Sequence, residues 1–262
     1  MQTIAFRLET GDKNYGEVYL PDESTGKLPV IIYCHGSGTN CSGKPMGFHA
    51  AVRDKAIAEG MAYATFDCFA GLRTGGDYGK MTYARWAQNL VDVMDWLGAQ
   101  NYIDPERICA LGISSGSTTA LRAAAVGARL RCICSVATCA TVHIGMWGQG
   151  GIAKCFVDNM DNLLAGERVP LGIDFEKDFF IDGISNAPIH ALLEEKIICP
   201  VLFLQGAKDN AFRISDARLA YDIMHRAGMP ATYIQYTEGD HGLDTVPEEA
   251  TADLFAWLST VI

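Results

Sequence analysis

The apolar positions along the chain change period several times, and each change predicts an element. Near the start, Ile4, Phe6 and Leu8 alternate with polar residues, and a second such run follows at Glu17–Leu20. Alternation with one polar face predicts an antiparallel hairpin at a sheet edge. LPVIIYCHG differs: it is continuously apolar up to Gly36, as expected of a strand covered on both faces. MAYATFDCF, RICALGIS, RCICSVATC and PVLFLQG repeat that character, and ATYIQYTEG supplies the last strand. Between these runs the period is helical. Residues 45–59 read as a helix. From Thr82 to Leu97 the positions Ala84, Trp86, Ala87, Leu90, Val91, Met94 and Trp96 keep helical spacing. Asp104-Pro105 then marks a turn. Gly116 to Val126 is a small-residue helix, and Glu248 to Ile262 closes the chain as another. Strands alternating with helices predict an α/β fold: a mostly parallel central sheet with helices on both faces.

One segment breaks the alternation. About sixty residues separate the strand ending near Cys139 from the strand starting near Val201, far more than a crossover needs. Within it, Ile152, Phe156, Val157, Met160, Leu163 and Leu164 keep helical spacing, and 168–186 is mixed and aromatic. The expected organisation is a core of residues 1–140 and 196–262, with residues 141–195 inserted between the sixth and seventh strands. The insertion is expected to lie as a lid over the carboxyl ends of the strands, where ligand crevices of open α/β sheets form.

Composition excludes several classes. The chain has 262 residues, 49% hydrophobic and 20% charged, which is a globular and not a disordered composition. Its 21 basic and 31 acidic residues give a net charge of −10, with no long basic run, so a nucleic-acid partner is not expected. The N-terminus lacks the basic start and apolar run of a secretory signal, and no apolar stretch is long enough to span a membrane. The nine cysteines form no CxxC pair and read as reduced, space-filling thiols of a cytoplasmic protein. Cysteine and histidine do not cluster at ligand spacings, so no metal site is expected.

Three motifs converge on one chemistry. Gly112-Ile113-Ser114-Ser115-Gly116 follows a strand and opens a helix, the context that G-x-S-x-G requires. The turn is so sharp that side chains two residues either side of the nucleophile would clash, and glycine removes them. Shifting the frame to Ser115 would put Ile113 and Ser117 at the glycine positions, so Ser114 is the nucleophile. His35-Gly36-Ser37-Gly38 follows LPVIIYC and suits an oxyanion loop. The amide of Ser115 is the first oxyanion donor and that of Ser37 the second, with Gly38 the alternative. His35 reads either as a pocket residue or as a packed core histidine. Asp209 follows PVLFLQG, and His241 follows the last strand, giving the order Ser, acid, His. Asp209 would orient His241, and His241 would take the Ser114 proton. The competing acids are Asp216, inside the next helix, and Asp240, whose side chain diverges from its neighbour's. His143 and Trp147, at the start of the insertion, join His35 and Gly38 as candidate substrate contacts. Met146, Trp147, Phe156, Phe179 and Phe180 either line an aromatic acyl pocket or form the insertion's own core.

Carrying HGSG at 35–38, GISSG at 112–116, GAKD at 206–209 and GDHG at 239–242, the chain resembles the α/β-hydrolase superfamily over nearly its whole length. Within it, DPERICALGISSG and NAPIHALLEEKIICPVLFLQGAKD are similar to segments of compact esterases related to dienelactone hydrolases and bacterial cinnamoyl (feruloyl) esterases. Those esterases carry an insertion between the sixth and seventh strands that covers the acyl pocket, where residues 141–195 stand. The resemblance implies the α/β-hydrolase fold and a cofactor-free Ser-His-Asp carboxylesterase acting on a small-molecule ester, such as a hydroxycinnamoyl or acetyl ester. Dienelactone hydrolases use a cysteine nucleophile, so Ser114 argues against dienelactone itself. The alternatives are a prolyl-oligopeptidase-like serine peptidase, a thioesterase or acyltransferase using the same triad, and a hydrolase fold reused for binding. An exposed sheet edge and an aromatic insertion allow a homodimer.

Overall fold

The continuously apolar runs become the interior of one eight-stranded sheet. The computed structural model describes residues 1–23, 26–37, 47–141, 151–170 and 174–262. Strands β1 (Gln2–Arg7) and β2 (Tyr15–Leu20) form the antiparallel hairpin at one edge. Then come β3 (Leu28–Cys34), β4 (Ala62–Phe66), β5 (Ile103–Ile113) and β6 (Cys132–Val136). A two-residue pair, β7 (Val169–Pro170) and β8 (Asp174–Phe175), stands apart from the sheet. Strands β9 (Val201–Gly206) and β10 (Ala231–Tyr236) complete it. The order is β1-β2-β4-β3-β5-β6-β9-β10, with β2 antiparallel to β4 and every pair from β4 to β10 parallel. The carboxyl ends of β3, β5, β6, β9 and β10 therefore meet along one edge.

The composition of each strand follows its place. All five residues of β4 and of β6, and all six of β9, are buried, whereas β1 alternates and buries only Phe6. Six cysteines (Cys34, Cys68, Cys109, Cys132, Cys134 and Cys139) are buried free thiols. Burial pushes Cys34 and Cys134 far above the ordinary thiol range, so they fill space as neutral groups.

Helix α1 (Gly47–Ala58) packs with the closing helix, and α2 (Tyr83–Gly98) with α3 (Ser115–Ala125). Thr82 caps α2 by accepting from Arg85 N at 3.1 Å. The buried face of α2 is turned slightly from the expected one. Tyr83, Val93 and Leu97 are buried with Trp86, Ala87, Leu90 and Met94, while Ala84 is exposed and Val91 and Trp96 are half-buried. Asn89 joins that face because its side chain accepts from Phe69 N at 2.7 Å and donates to Asp12 at 2.8 Å. The turn expected at Asp104-Pro105 is instead an irregularity inside β5. Pairing with β3 jumps from Leu28–Ile103 to Val30–Ile108, and Asp104 accepts from Glu106 N at 3.0 Å across the excess residues.

Between β6 and β9 lie α4 (Gly151–Asp158), α5 (Met160–Leu164), the β7–β8 pair, α6 (Lys177–Ser185) and α7 (Pro188–Leu193). β6 and β9 are the sixth and seventh strands of the main sheet. This segment is fastened to the sheet's helices from within. Asp182 of α6 accepts from the backbone N–H of Tyr83 (2.7 Å) and Ala84 (3.2 Å), the first turn of α2. The same carboxylate pairs with Arg122 of α3 at 2.8 Å, with side-chain exposures of 9% and 8%. Arg168 bridges Asp77 and Glu176, and Glu176 N donates to Gly79 O at 2.9 Å. Phe175 stacks on Phe179 with centroids 3.9 Å apart, and Tyr83 closes on Phe179 at 5.8 Å. Phe179 and Phe180 are fully buried, so they belong to the packed core, and Phe156 is half-buried against Phe180.

Helices α8 (Ile214–Arg226) and α9 (Pro247–Leu258) finish the chain. No helix among the described residues is long and apolar enough to cross a membrane.

The buried Arg122–Asp182 pair yields the first prediction. Asp182→Ala strands the Arg122 charge, and we expect a loss of about 3–5 kcal/mol in denaturant unfolding. Combining Asp182→Leu with Arg122→Met should return part of it, because both charges then leave together while the Tyr83 and Ala84 N–H groups still lose their acceptor. A single variant within 1 kcal/mol of the parent, on the order of a surface change, would contradict this account.

Candidate active site

Ser114 is where β5 stops and α3 begins. Its backbone has φ 60° and ψ −124°, outside the regions open to ordinary L-residues. The flanking glycines explain how the turn closes. A Cβ on Gly112 would overlap the backbone of Gly116, and a Cβ on Gly116 would overlap the Cys34 carbonyl. The helix thus abuts β3 backbone to backbone, and Ser114 N is held by Val136 O at 3.0 Å. The serine has nowhere to go but up from the sheet edge, at the N-terminus of α3, where the dipole favours negative charge.

The loop after β3 comes up beside it. A Cβ on Gly36 would lie 3.2 Å from Ser114 Cβ. Ser37 follows, and its Oγ hydrogen-bonds Ser115 Oγ at 2.6 Å. Among the described residues no acceptor takes the backbone N–H of Ser37 or of Ser115. His35 lies beneath this loop. It is fully buried, its Nε2 accepts from Cys68 N at 3.0 Å, and its Nδ1 then donates to Gly36 O at 2.8 Å. Burial holds the imidazole below its ordinary range, against the opposing pull of the Gly36 carbonyl and Asp67. Both ring nitrogens are spent inside the protein. His35 is therefore the packed core histidine, not a wall of a substrate pocket.

Two further loops leave the same edge. Asp209, three residues beyond β9, accepts His241 Nδ1 at 2.9 Å on Oδ1. That oxygen also receives the N–H of Ala211 (2.8 Å) and Phe212 (3.0 Å), while Gln205 Nε2 donates to Oδ2 at 3.0 Å. The Asp209 side chain is 0% exposed and that of His241 29%. Burial pushes the Asp209 carboxyl up, but the His241 and Phe212 hydrogen bonds outweigh it and hold the group below its ordinary range. The loops are packed as closely as the serine turn. A Cβ on Gly206 would overlap the carbonyls of Gly239 and Asp240, and Lys208 N donates to Gly239 O at 2.8 Å. Phe212 sets its ring edge-on to His241 at 5.1 Å. Ser114 Oγ has no hydrogen-bond partner among the described residues.

The competing acids are accounted for. Asp216 is buried and engaged by the amide and hydroxyl of Thr141. Asp240 Oδ1 accepts from Asp244 N at 2.7 Å. Gly38, His143, Met146 and Trp147 lie outside the described residues. Three contributors were not foreseen: Gln205, Phe212 and Tyr83, whose OH lies 3.4 Å from Ser115 Oγ. Gln205 alone left a trace in the sequence, as the polar residue in the apolar run PVLFLQG. No three or more His, Cys, Asp or Glu side chains converge as a metal site among the described residues.

Residues 11–168 match the family model for the X-Pro dipeptidyl-peptidase (S15 family). The chain belongs to the S15 family. It is an α/β hydrolase by fold as well. An Escherichia coli relative, an uncharacterised 31.7 kDa protein of the traX-finO intergenic region, is 32% identical over 76% of this chain and 79% of its own. Est1E from Butyrivibrio proteoclasticus, solved with bound ferulic acid, superposes with a TM-score of 0.78 at 15% identity over 98% of both chains. A puromycin-hydrolyzing peptidase of Mycobacterium tuberculosis gives 0.75 at 17% identity, over 99% of this chain and 39% of that one. By fold, then, this chain superposes on both an esterase and a peptidase.

The lowered Asp209 carboxyl gives a signed pH prediction. A group depressed by folding adds stability above its unfolded value and loses it as pH falls through the folded one. Asp209→Asn should therefore be less stable than the parent at pH 7, and the gap should close as the pH falls below 3.8. Melting curves across pH 7 to 2.5 check this; a gap unchanged at the acid end would overturn it.

Proposed function

We propose that the protein is a serine carboxylic ester hydrolase working through an acyl-enzyme, with Ser114 as nucleophile, His241 as general base and Asp209 as its orienting acid. The observation that carries this reading is the Asp209–His241 hydrogen bond on loops leaving the same sheet edge as a strained Ser114. Asp209 fixes Nδ1 as the protonated nitrogen, so Nε2 is the one left to accept the serine proton. Ser114 attacks the ester carbonyl and His241 takes its proton. The amides of Ser37 and Ser115 hold the oxyanion, and His241 returns the proton to the leaving alcohol. Water, activated by the same histidine, then cleaves the acyl-enzyme. The absent Ser114–His241 hydrogen bond agrees with a site that tightens only with substrate bound. Residues 141–195 are read as the cover of the acyl pocket.

An ester substrate is favoured by the likeness to Est1E, which extends over 98% of both chains. The family description and the puromycin-hydrolyzing neighbour favour a second reading, a peptidase, which would use the same triad on an amide.

The test is a hydrolysis panel run beside Ser114→Ala. It holds p-nitrophenyl acetate, butyrate and octanoate, methyl ferulate, an acetylated sugar, an acyl-CoA and a prolyl-peptide anilide. Ester turnover is expected to dominate, with the variant's kcat lower by roughly 10⁴ to 10⁶. A variant keeping more than about a tenth of the rate would remove Ser114 from the chemistry. Turnover of the anilide in place of esters would keep the triad and make the protein a peptidase.

A further inference from the structure

The two residues whose amides are read as the oxyanion hole are also joined through their side chains. Ser37 and Ser115 are 78 positions apart, on different loops, yet their hydroxyl oxygens lie 2.6 Å from each other. Nothing in an oxyanion hole requires this, because the donors are backbone groups and any side chain supplies them. Ser115 is 1% exposed and begins α3. A buried hydroxyl needs a partner, and this one reaches Ser37 and lies 3.4 Å from Tyr83 OH. Burial pushes the Tyr83 phenol far above its ordinary range, so it remains a neutral hydroxyl there.

Three elements meet at this oxygen: the loop after β3, the first residue of α3 and the first residue of α2. The last two are in turn held by one group, since Asp182 accepts from Tyr83 N and pairs with Arg122 of α3. The position of the Ser115 amide is thus set through its own helix. The Ser37 amide is not set through a helix in this way. It belongs to the irregular loop after β3, and among the described residues no backbone hydrogen bond ties it to α3. The serine–serine hydrogen bond is the one described side-chain contact by which Ser37 is tied to the nucleophile helix.

We propose that Ser37 and Ser115 are positioning residues whose side-chain hydrogen bond holds the two oxyanion amides at a fixed separation before substrate arrives. This rests on the serine-hydrolase reading of the site. A donor that must be reorganised during reaction contributes less than one already in place, so the effect belongs to the transition state and not to substrate binding.

The experiment compares Ser37→Ala, Ser115→Ala, the double variant and Ser37→Thr on p-nitrophenyl acetate, with inhibition by an alkylboronic acid as a transition-state probe. Each alanine is expected to lower kcat about ten-fold, less than outright loss of a donor, and to change KM by less than about two-fold. Boronate affinity should fall in parallel with kcat. The double variant should be no more than about two-fold worse than the poorer single one, because both remove the same bond. Ser37→Thr, which keeps the hydroxyl, should recover most of the rate. Multiplying losses, a loss confined to KM, or a parent-like Ser37→Ala would each overturn the proposal. If Ser115→Ala does not fold by circular dichroism, Ser37→Ala and Ser37→Thr still decide it. Labelling of Ser114 by a fluorophosphonate separates the two levels. An unlabelled parent defeats the site reading itself, whereas a labelled parent with an indifferent Ser37→Ala defeats this inference alone.

Discussion

Everything at the carboxyl edge of the sheet depends on how closely α3 can approach β3. The Gly116 backbone rests on the Cys34 carbonyl, with no room for a Cβ, and Gly112 rests on Gly116. That contact forces the chain to reverse within one residue, and Ser114 absorbs the reversal at φ 60°. The strain is carried by the parallel ladder on either side, since β5 is bonded to β3 and β6 over the whole stretch that leads into the turn. A strained residue persists only when its surroundings over-determine it. Here two strands, one helix and two glycines do so, and the same contact brings the loop of Gly36 and Ser37 alongside the serine.

A second backbone contact does for the acid and the histidine what the first does for the serine. Gly206 lies against Gly239 and Asp240, so the loops after β9 and β10 are seated on each other before any side chain is considered. The Asp209–His241 hydrogen bond then needs little further ordering. Four donors converge on the Asp209 carboxylate, three of them besides the histidine. This is why a fully buried carboxyl is held below its ordinary range and not above it. Ionised, it can accept from His241 Nδ1 and fix the tautomer.

The parts of this arrangement that were legible in the sequence share a physical origin. Strands covered on both faces must be continuously apolar, so β3, β4, β5, β6 and β9 announced themselves, and the alternating hairpin did too. Glycine is required where backbones touch, so GISSG, GAKD and GDHG marked the three loops. What could not be read rests on contacts between residues remote in sequence. Asp182 meets Tyr83 across 99 positions and Arg122 across 60, and no periodicity relates them. The buried face of α2 departs from its apolar stripe by a fraction of a turn for a related reason. Tyr83 is drawn inward by the aromatic cluster of Phe175 and Phe179, which belongs to another segment. Phe179 and Phe180, open between pocket and core from sequence, were resolved by the same cluster.

That cluster also constrains what the segment between β6 and β9 can do. A lid that swings as one body must release its contacts with the sheet's helices. α6 cannot do so cheaply: lifting it would unpair Arg122 and Asp182 at a cost of about 3–5 kcal/mol. It would also uncap α2 and expose Phe179 and Phe180, which are buried to the last 1%. The fastening at Arg168, Asp77 and Glu176 is exposed and weaker. α4 and α5 turn Val157 and Leu164 outward but bury Ile152 and Leu163 completely. Through Asp182, α6 is joined to α2 and to α3, the helix that begins at Ser115. An anchor of this kind holds the start of α3 in place, which suits chemistry that gains most from donors already positioned.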